Sequence, residues 1–374
     1  MAIYKREIMK QIKILHTEWS NGWGGQEIRI VTESKVFIDK GYQVIIAAQP
    51  HSKLLEKAQQ ENIPTFSIKM NKGLNFIAMI KLANFIYKNQ IDIVHTHSSI
   101  DSRTAGIAAK IMGVAVVRSR HISIPISLRK FTYFQYMKIA DKVITSGQFI
   151  KNEMVNKNKM IPEKIVSAPA GIDTQQFSLT RNLPDIKEKY NINDKFLIGI
   201  VSVLRSWKGH KYLIEAINIL KNKIPNIHLI IVGDGPKKNS IEQLIKELDL
   251  ETYITLTGYQ KDPAAFFKAM DIMVLPSYAG EATSQVLPQA MAMKTPIIAT
   301  HAGGLSEVVI DKETGLVIKP KDSQSIADAI YTLFTNEELK EKISIQGQKY
   351  TFKNFTFEKM IQTTEKVYLE VLKK

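Results

Sequence analysis

Short apolar runs rich in isoleucine and valine alternate with longer amphipathic stretches along most of the chain. Each run is nearly continuous in its apolar character, which is the pattern of a strand buried on both faces of a sheet. Between the runs, apolar positions recur with the spacing of a helix face, as in Glu27–Lys40 and Leu74–Asn89. The strands predicted in the first half are Ile12–His16, Gln43–Ala48, Thr65–Ile68, Ile91–His95, Val114–Arg118 and Lys142–Ser146.

A polar stretch from Thr174 to Asp194 has little periodicity and is predicted to link two domains. Beyond it, strands are predicted at Phe196–Val203, His228–Val232, Ile254–Thr257, Ile272–Leu275, Pro296–Ala299 and Leu316–Ile318. Strands alternate with helices in both halves, which predicts parallel sheets covered by helices. The expected fold class is therefore α/β, with two doubly wound, Rossmann-like domains that face each other across a cleft. Their expected bounds are 1–178 and 179–355.

The composition is that of a soluble globular protein, with 44% hydrophobic and 23% charged residues in a chain of 374. No apolar run reaches the roughly 18 residues of a membrane-spanning helix, and the N-terminal sequence lacks the apolar core and cleavage site of a secretory signal. The chain has no cysteine, which excludes disulfide bonds and thiolate metal sites. Together these observations predict a cytoplasmic protein.

The charge is unevenly distributed along the chain. Residues 1–178 carry 25 basic and 13 acidic side chains and the remainder carries 26 and 23, so most of the net charge of +15 lies in the first half. A basic domain favours an anionic partner such as a phospholipid surface, a lipid diphosphate or nucleic acid. A lysine-rich composition with no such partner explains the charge equally well. No nucleic-acid-binding motif is recognisable, so nucleic acid is not expected as a partner. The net charge is the one feature that supports a nucleic-acid-binding protein, which remains an alternative.

Ligands of doubly wound sheets bind beyond the carboxyl ends of the strands, which directs attention to the residues that follow each strand. Arg205 and Lys208 follow the strand Phe196–Val203 at the start of a predicted helix. Two cations beside a helix N-terminus suit a diphosphate, although two solvated surface charges would give the same sequence. Gly233 lies in a glycine-rich turn after the next strand, a weak indication because such glycines often serve backbone geometry alone.

A loop rich in Ser, Gly and Thr follows the strand Ile272–Leu275, and a helix is predicted to begin near Ser284 or Gln285. Amides at that helix start would bind phosphate. Glu281 would lie at the mouth of the loop and Gln289 on the helix face towards the cleft, where both side chains suit sugar hydroxyls. A helix cap and a surface glutamine are the simpler interpretation.

Taken in order, the motifs of the second half resemble those of the group 1, or family 4, retaining glycosyltransferases, which have the GT-B fold. The motifs are LRSWKG, VGDGP, Gly258 after a strand, DIMVLPS, the Glu281 loop, QAMAMKTPIIAT, AGGLSEVV and ETGLVIKP, spread over about 115 residues. The resemblance implies retaining transfer of a sugar from a nucleotide-diphosphate donor to a saccharide or lipid-linked acceptor. It also suggests a pathway, the assembly of envelope polysaccharide or lipopolysaccharide.

The resemblance implies roles for individual residues. Lys208 matches the family's diphosphate-binding lysine, whereas Arg205 lies closer to it than the family's usual arginine. The family has two glutamates separated by seven residues, of which the first is Glu281 and the second position holds Gln289, an amide that would bind ribose hydroxyls without a charge-assisted bond. The catalytic residues implied are Glu281, His121, Arg205 and Lys208. The donor-binding residues implied are Gly24, Gly25, Arg205, Lys208, Gly233, Gly258, Tyr259, Glu281, Thr283, Ser284, Gln285 and Gln289.

The first half matches the family more loosely. Gly24 and Gly25 would let backbone amides approach the donor phosphates or the acceptor, unless they form only a flexible loop. His95 and His97 end a strand and would suit a metal, but no third ligand is apparent, so structure or acceptor contact is favoured. His121 resembles the histidine that family members direct at the donor sugar, although a lone histidine is more often structural.

No Asp-x-Asp motif occurs, so we expect Arg205, Lys208 and helix N-termini to stabilise the leaving diphosphate without a metal ion. No cofactor is expected beyond the nucleotide sugar as co-substrate. By resemblance, the acceptor would attack from the face of the departing phosphate, which would take its proton, while Glu281 positions the sugar. The resemblance also places a C-terminal helix of about residues 356–374 on the first domain.

Basic and aromatic residues are mixed in the segment Arg118–Lys142, which suits the headgroups of an anionic membrane. An amphipathic helix packed on its own sheet is the alternative. Because Gln289 departs from the family pattern, a nucleotide-sugar epimerase or hydrolase, or a non-catalytic donor-binding homologue, remains a second alternative.

Overall fold

The computed structural model describes residues 12–73, 75–122 and 125–373, which form two parallel β-sheets flanked by helices. The first sheet has seven strands in the order β3-β2-β1-β4-β5-β6-β7. They are β1 (Lys13–Glu18), β2 (Gln43–Ala48), β3 (Thr65–Ser67), β4 (Ile93–Thr96), β5 (Ala115–Arg120), β6 (Lys142–Thr145) and β7 (Ile165–Ser167). The accompanying helices are Gly25–Asp39, Lys53–Gln60, Phe76–Asn89, Ser99–Asp101, Ile107–Ile111, Lys130–Phe134, Gln148–Asn156 and Phe357–Leu372, with π-helical turns at Ser102–Gly106 and Gln135–Ile139 and a 3₁₀ turn at Pro162–Lys164.

The second sheet has six strands in the order β10-β9-β8-β11-β12-β13. They are β8 (Phe196–Val201), β9 (Ile227–Val232), β10 (Ile254–Gly258), β11 (Ile272–Leu275), β12 (Ile297–Thr300) and β13 (Leu316–Ile318). Its helices are Ile186–Lys189, His210–Leu220, Lys238–Glu247, Ala264–Ala269, Val286–Ala292, Ser323–Thr335 and Glu337–Asn354, with 3₁₀ turns at Ser206–Lys208 and Gly303–Glu307.

Both sheets are doubly wound, as the sequence predicted. The chain builds β1, β2 and β3 outward in one direction and then crosses past β1 to add β4 on its other side. The second sheet repeats this pattern, with β8 paired to both β9 and β11. The strand order therefore reverses between β1 and β4 and between β8 and β11, and these two crevices are where such sheets bind ligands.

The near-continuous apolar runs reflect burial on both faces of each sheet. On β8, Ile198 packs into the core on one face, while its neighbour Leu197 packs into the core on the other. Successive side chains of a strand point to opposite faces, so both must be apolar where helices cover both sides.

The chain divides into two compact units, one formed by the chain up to Pro169 together with the residues from Met360 onward, the other by Ala170–Lys359. The sequence placed this boundary at residue 178. It falls earlier because Ile172 pairs with Thr356 and Phe177 is buried in the core of the second unit. The predicted linker is therefore a packed part of that unit, with a helix at Ile186–Lys189.

Most predicted strands match those in the structure to within a few residues at each end, and β7 is the one that the sequence did not indicate. It has three residues, too few to show a pattern. The predicted helix Leu74–Asn89 begins at Phe76, and Leu74 itself lies outside the described residues. Across the described ranges, no helix combines the length and apolar character that crossing a membrane requires.

Candidate functional site

The carboxyl edge of the six-stranded sheet collects residues predicted to bind the donor. Gly258 ends β10, Gly233 follows β9, Arg205 and Lys208 follow β8, and Glu281 follows β11. These strands are neighbours in the sheet, and the amide of Gly233 donates a hydrogen bond of 2.9 Å to the carbonyl oxygen of Gly258. Residues far apart in sequence are thus brought to one edge of the sheet, and Arg205, Lys208 and Glu281 follow the two strands between which the strand order reverses.

A tight turn after β8 places Lys208. The 3₁₀ turn Ser206–Lys208 ends at Gly209, whose φ of +79° is accessible mainly to glycine. A Cβ at Gly209 would also lie 2.2 Å from the carbonyl oxygen of Pro276. The amide of Tyr278 donates to the carbonyl oxygen of Trp207 at 2.9 Å. The turn is therefore packed directly against the segment that follows β11.

Lys208 and Glu281 form an ion pair at this edge, with Nζ of the lysine donating to Oε1 of the glutamate at 2.6 Å. The glutamate side chain is only 6% exposed and that of the lysine 19%. Since little water reaches the pair, the electrostatic attraction is weakly screened. The arrangement sets an ammonium group suited to a phosphate oxygen beside a carboxylate suited to sugar hydroxyls.

Two glycines fix the loop that carries Glu281. A Cβ at Gly303 would lie 2.2 Å from the carbonyl oxygen of Glu281, and one at Gly304 would lie 1.8 Å from that of Ala282. The amide of Gly304 donates to the carbonyl oxygen of Glu281 at 3.2 Å. The glycine pair after β12 is therefore needed for backbone packing against the loop.

Arg205 is oriented differently from Lys208. Its exposed guanidinium lies 5.0 Å from the ring centroid of Trp207. The contact between Arg205 and Lys208 is through the backbone, where the amide of Lys208 donates to the carbonyl oxygen of Arg205 at 3.1 Å. With Lys237, Arg205 lines a cavity of about 390 Å³ beside the turn. The structure thus brings Lys208 and Glu281 into contact but leaves Arg205 outside their pair.

His210, the first residue of the helix after the turn, contacts Ser202, which directly follows β8. Its Nε2 lies 3.1 Å from the hydroxyl oxygen of Ser202. Burial, together with the nearby Lys208, lowers the pKa of His210 to about 4. The imidazole is therefore neutral at neutral pH and adds no positive charge to the site.

The remaining predicted donor residues lie on the loop after β11, on the helix that follows it, and after β10. Thr283 and Ser284 are at least partly buried, Gln285 is exposed and Gln289 is half-buried. In the described structure, the buried hydroxyl groups of Ser277 and Thr283 have no hydrogen-bond partner. Tyr259, just beyond β10, is exposed. The loop thus contains polar groups whose hydrogen-bonding capacity is unused.

In the first unit, the loop after β1 is lined by acidic groups. The amide of Gly24 is already bound, donating to the Glu27 carboxylate at 2.9 Å, whereas a Cβ on Gly25 would meet open space. Burial and the neighbouring Asp101 raise the pKa of Glu18, at the end of β1, to about 8. This acidic lining suits hydroxyl groups better than phosphate.

Three histidines form a hydrogen-bonded chain at the switch between β1 and β4. Nδ1 of His16 lies 2.9 Å from Nε2 of His97, and Nδ1 of His97 lies 3.0 Å from Nε2 of His121. Burial lowers the pKa of His16 to about 3 and holds the pKa values of His97 and His121 well below their usual range. All three rings are therefore neutral at neutral pH.

His95 packs beside this chain without being part of it. Its Nδ1 lies 2.6 Å from the hydroxyl oxygen of Tyr368 and its Nε2 lies 2.8 Å from that of Ser119. Nitrogens of His16, His95 and His97 lie within 4.8 Å of one another, so His16 is the third metal-ligand candidate that the sequence did not reveal. Both nitrogens of His95 and of His97 already take part in hydrogen bonds, however, and a metal ion would have to displace them.

The basic and aromatic segment Arg118–Lys142 is only partly at the surface, and residues 123–124 lie outside the described part of the chain. Arg118 and Tyr136 are buried, with the guanidinium 3.6 Å from the ring centroid. These two residues of the segment therefore pack against each other inside the unit and do not reach its surface. The exposed side chains of the segment include Leu128, Arg129, Lys130, Phe131, Phe134 and Lys138.

Sequence reasoning missed His16, Glu18 and Asp101, which lie within or just after β1 and β4. Which strands border the switch point depends on the strand order, which local sequence pattern does not reveal.

Two family models match the chain, "Glycosyl transferases group 1" over residues 183–350 and "Glycosyltransferase Family 4" over residues 23–176. The capsular polysaccharide biosynthesis glycosyltransferase CapM of Staphylococcus aureus is 26% identical over 337 residues, which cover 85% of this chain and 88% of the relative. The UDP-Gal:alpha-D-GlcNAc-diphosphoundecaprenol alpha-1,3-galactosyltransferase of Escherichia coli is 25% identical and is matched over 83% of each chain. Among solved structures, a glycosyltransferase from Rickettsia africae ESF-5 superposes with a TM-score of 0.89 at 25% identity, covering 97% of this chain and 99% of that one.

Proposed function

This chain belongs to the group 1 glycosyltransferases, enzymes of the GT-B fold, and on that premise we propose that it moves a sugar from a uridine-diphosphate donor to a saccharide or lipid-linked acceptor of the cell envelope. The family and the fold support glycosyl transfer as the reaction. The choice of donor and acceptor is supported by the E. coli relative, whose name specifies a UDP-sugar and a diphosphoundecaprenol-linked saccharide. The pathway is supported by the S. aureus relative, which is named for capsular polysaccharide biosynthesis.

One observation carries the proposal, namely the contact of 2.6 Å between Lys208 and Glu281 at the switch point of the second sheet. The ammonium group of Lys208 has three N–H donors, so it can bind a phosphate oxygen while it remains paired with Glu281, and the pairing lowers the repulsion between that carboxylate and the diphosphate. The remaining lone pairs of Glu281 can accept hydrogen bonds from sugar hydroxyls. The unpaired hydroxyl groups of Ser277 and Thr283 add further hydrogen-bonding groups in the same loop.

In the proposed reaction the bond between the anomeric carbon and the diphosphate oxygen breaks, and the acceptor oxygen forms its bond on the same face of the sugar. The acceptor proton passes to the departing phosphate, so the products are the retained glycoside and the nucleoside diphosphate. Lys208 stabilises the negative charge that develops on the leaving group, an electrostatic contribution that needs no metal ion. Arg205, exposed beside the same turn, is proposed to contact the diphosphate once the donor binds.

The first unit is proposed to bind the acceptor. Glu18 is buried at the end of β1 and shapes this loop, because its Oε1 accepts a hydrogen bond from the amide of Ser20 at 2.7 Å and its Oε2 accepts one from the side-chain amide of Gln26. Glu27 remains close to Gly24 and disfavours phosphate at that amide. Gly24 and Gly25 are therefore proposed to serve the acceptor, the second of the two roles left open by the sequence.

Transfer is tested with a panel of nucleotide sugars, first by thermal shift and then by product analysis with polyprenyl-diphosphate saccharides. We expect UDP-sugars to stabilise the protein and to yield a glycosylated lipid product. Lys208→Met should weaken UDP binding by about tenfold or more, the effect of losing one charge-assisted contact. Glu281→Gln should keep UDP binding and lose most of the turnover.

Lys238→Met is the matched control, because Lys238 forms an exposed surface pair with Glu242 at 4.0 Å. It should bind UDP and transfer sugar as the unmodified protein does. Release of free sugar with every acceptor would indicate a hydrolase, and the absence of both binding and turnover would contradict the proposal.

We further propose that the first unit docks on an anionic membrane. The connections β3–β4, β4–β5 and β5–β6 step in the same direction along the sheet, so right-handed crossovers place their helices on one face. Large apolar side chains are exposed on those helices, at Phe76, Ile77, Ile80, Tyr87, Ile111, Phe131 and Phe134. Four lysines and no acidic residue occur between positions 62 and 91, which complements anionic lipid.

Docking is tested by flotation with vesicles of phosphatidylcholine alone and of phosphatidylcholine mixed with phosphatidylglycerol. The protein should float with the anionic vesicles. The double variant Phe76→Ser and Ile80→Ser should float much less, because these two side chains of the helix Phe76–Asn89 are 65% and 70% exposed. Phe352→Ser removes an exposed aromatic ring from the second unit and serves as the control. Equal recovery with both vesicle types would contradict docking.

A further inference from the structure

The histidine chain of the first unit runs from the interior towards the surface. His16 and His97 are buried and His121 is half-buried. His16 contacts His97 through Nδ1, and His97 contacts His121 through its own Nδ1. One nitrogen remains at each end of the chain, Nε2 of His16 in the interior and Nδ1 of His121 at the outer end.

The number of protons in this chain is limited. Three neutral imidazoles carry three N–H groups, and two of these are used in the two contacts between rings. The buried Arg29 lies close enough to disfavour a positively charged ring in the cluster, which is one cause of the lowered pKa values. The third N–H must therefore lie at one end of the chain or the other.

The interior end is the unfavourable position for that proton. Nε2 of His16 is buried and has no hydrogen-bond partner in the described structure. Folded proteins leave a buried N–H without an acceptor more rarely than a buried acceptor without a donor, and the positive charge of Arg29 near His16 favours a bare ring nitrogen there over an N–H. His16 then donates from Nδ1 to His97, His97 donates from Nδ1 to His121, and the third proton lies on Nδ1 of His121.

We propose that His16 and His97 are positioning residues that hold His121 as the neutral tautomer protonated on Nδ1, so that its outward nitrogen donates a hydrogen bond to a substrate oxygen. The identity of that oxygen, a sugar hydroxyl, rests on the proposed function, whereas the tautomer rests on the chain alone. His121 held in this way cannot accept a proton at its outward nitrogen and is not the base of the reaction.

The tautomer is measured in the resting protein by long-range ¹H–¹⁵N correlation spectra of ¹⁵N-histidine-labelled samples, with His121 assigned from the His121→Asn spectrum. We expect Nδ1 of His121 to be protonated and Nε2 to be unprotonated. In His97→Ala the ring should shift towards protonation on Nε2, the tautomer that a free imidazole prefers. A His121 protonated on Nε2 in the unmodified protein, or unchanged in His97→Ala, would overturn the proposal.

A conservative variant separates positioning from simple packing. The side-chain amide nitrogen of asparagine occupies nearly the place of Nδ1 of histidine, so His97→Asn should still donate to His121 and keep its tautomer. In transfer assays kcat/KM should fall about tenfold or more for His97→Ala, the effect of one lost hydrogen bond to the substrate, and by much less for His97→Asn. Equal losses in the two variants would overturn the positioning role.

Ser119→Ala is the matched control, since it removes a hydrogen bond from the neighbouring His95 and leaves the chain intact. It should change neither the tautomer of His121 nor kcat/KM. If the unmodified protein transfers no sugar, the proposed function fails, but the spectra still decide the tautomer.

Discussion

Backbone contacts beneath its loop fix the position of Glu281. The carbonyl oxygens of Glu281 and Ala282 lie so close to Gly303 and Gly304 that no Cβ fits between them. The sequence showed a glycine pair after a strand and a glutamate about twenty residues earlier, and it predicted a role for the glutamate alone. Their contact depends on the neighbouring positions of β11 and β12, which only the sheet order provides.

Substitution of Gly303 tests this packing. Gly303→Ala should destabilise the second unit and weaken UDP binding, because the new methyl group displaces the backbone of Glu281. Gly113→Ala is the control, since Gly113 has a similar positive φ of +71° but open space around it. This variant should lose only about 1–2 kcal/mol in the free energy of unfolding, the cost of placing alanine in the left-handed conformation. Urea unfolding and UDP titration measure the two effects. Equal destabilisation by both variants, with UDP binding intact, would show that the contact is unimportant.

At the scale of elements, the C-terminal helix Phe357–Leu372 contacts the histidine cluster of the first unit, a contact that the sequence did not predict. Its Tyr368 is buried and holds Nδ1 of His95 at 2.6 Å. Glu365 accepts a hydrogen bond of 2.9 Å from the hydroxyl group of Tyr42. Through Tyr368 the helix therefore contacts His95, which packs beside the histidine chain of the first unit.

Removal of one hydroxyl group tests this contribution. Tyr368→Phe leaves Nδ1 of His95 buried without a partner, and we expect a loss of about 1–3 kcal/mol in the free energy of unfolding. Tyr331→Phe, on an exposed ring of the second unit, should change it by less than about 0.5 kcal/mol. Urea unfolding followed by circular dichroism gives both values. A stability loss no larger than that of the control would mean that the contact with His95 contributes little.

At the scale of the whole molecule, buried titratable groups couple stability to pH. Burial and Asp101 raise the pKa of Glu18 from 4.5 to about 8, so the folded protein retains a proton that the unfolded chain releases. Folding then binds a proton between these pH values, and the contribution of Glu18 to stability falls as the pH rises from 4.5 to 8. Below pH 4.5 the side chain is protonated in both states and this dependence disappears.

Glu18→Gln removes this proton exchange while keeping a side chain of similar size. The stability of the variant relative to the unmodified protein should therefore rise between pH 5 and pH 8, as measured by thermal unfolding across this range. Glu163→Gln, on an exposed residue of the 3₁₀ turn before β7, is the control and should show no such trend. A constant difference across the range would mean that Glu18 titrates normally in the folded protein.

The sequence by itself determined the elements and the class of fold. Nearly continuous apolar runs require strands covered on both faces, and alternation with helices requires parallel sheets, so two doubly wound α/β domains followed from local pattern. Ordered motifs of the second half also indicated the glycosyltransferase family. These features depend on residues that are close together in the chain, so they can be predicted from the sequence alone.

Only the tertiary structure decided which of these residues meet. The pairing of Lys208 with Glu281, the packing of Gly303 beneath that glutamate, and the chain from His16 to His121 join residues that are distant in sequence. Each contact depends on which strands are neighbours in a sheet, and strand order is a global property that hydrophobic pattern does not encode. The segment Arg118–Lys142 shows the same limit, because packing, and not composition, buries the guanidinium of Arg118 against the ring of Tyr136.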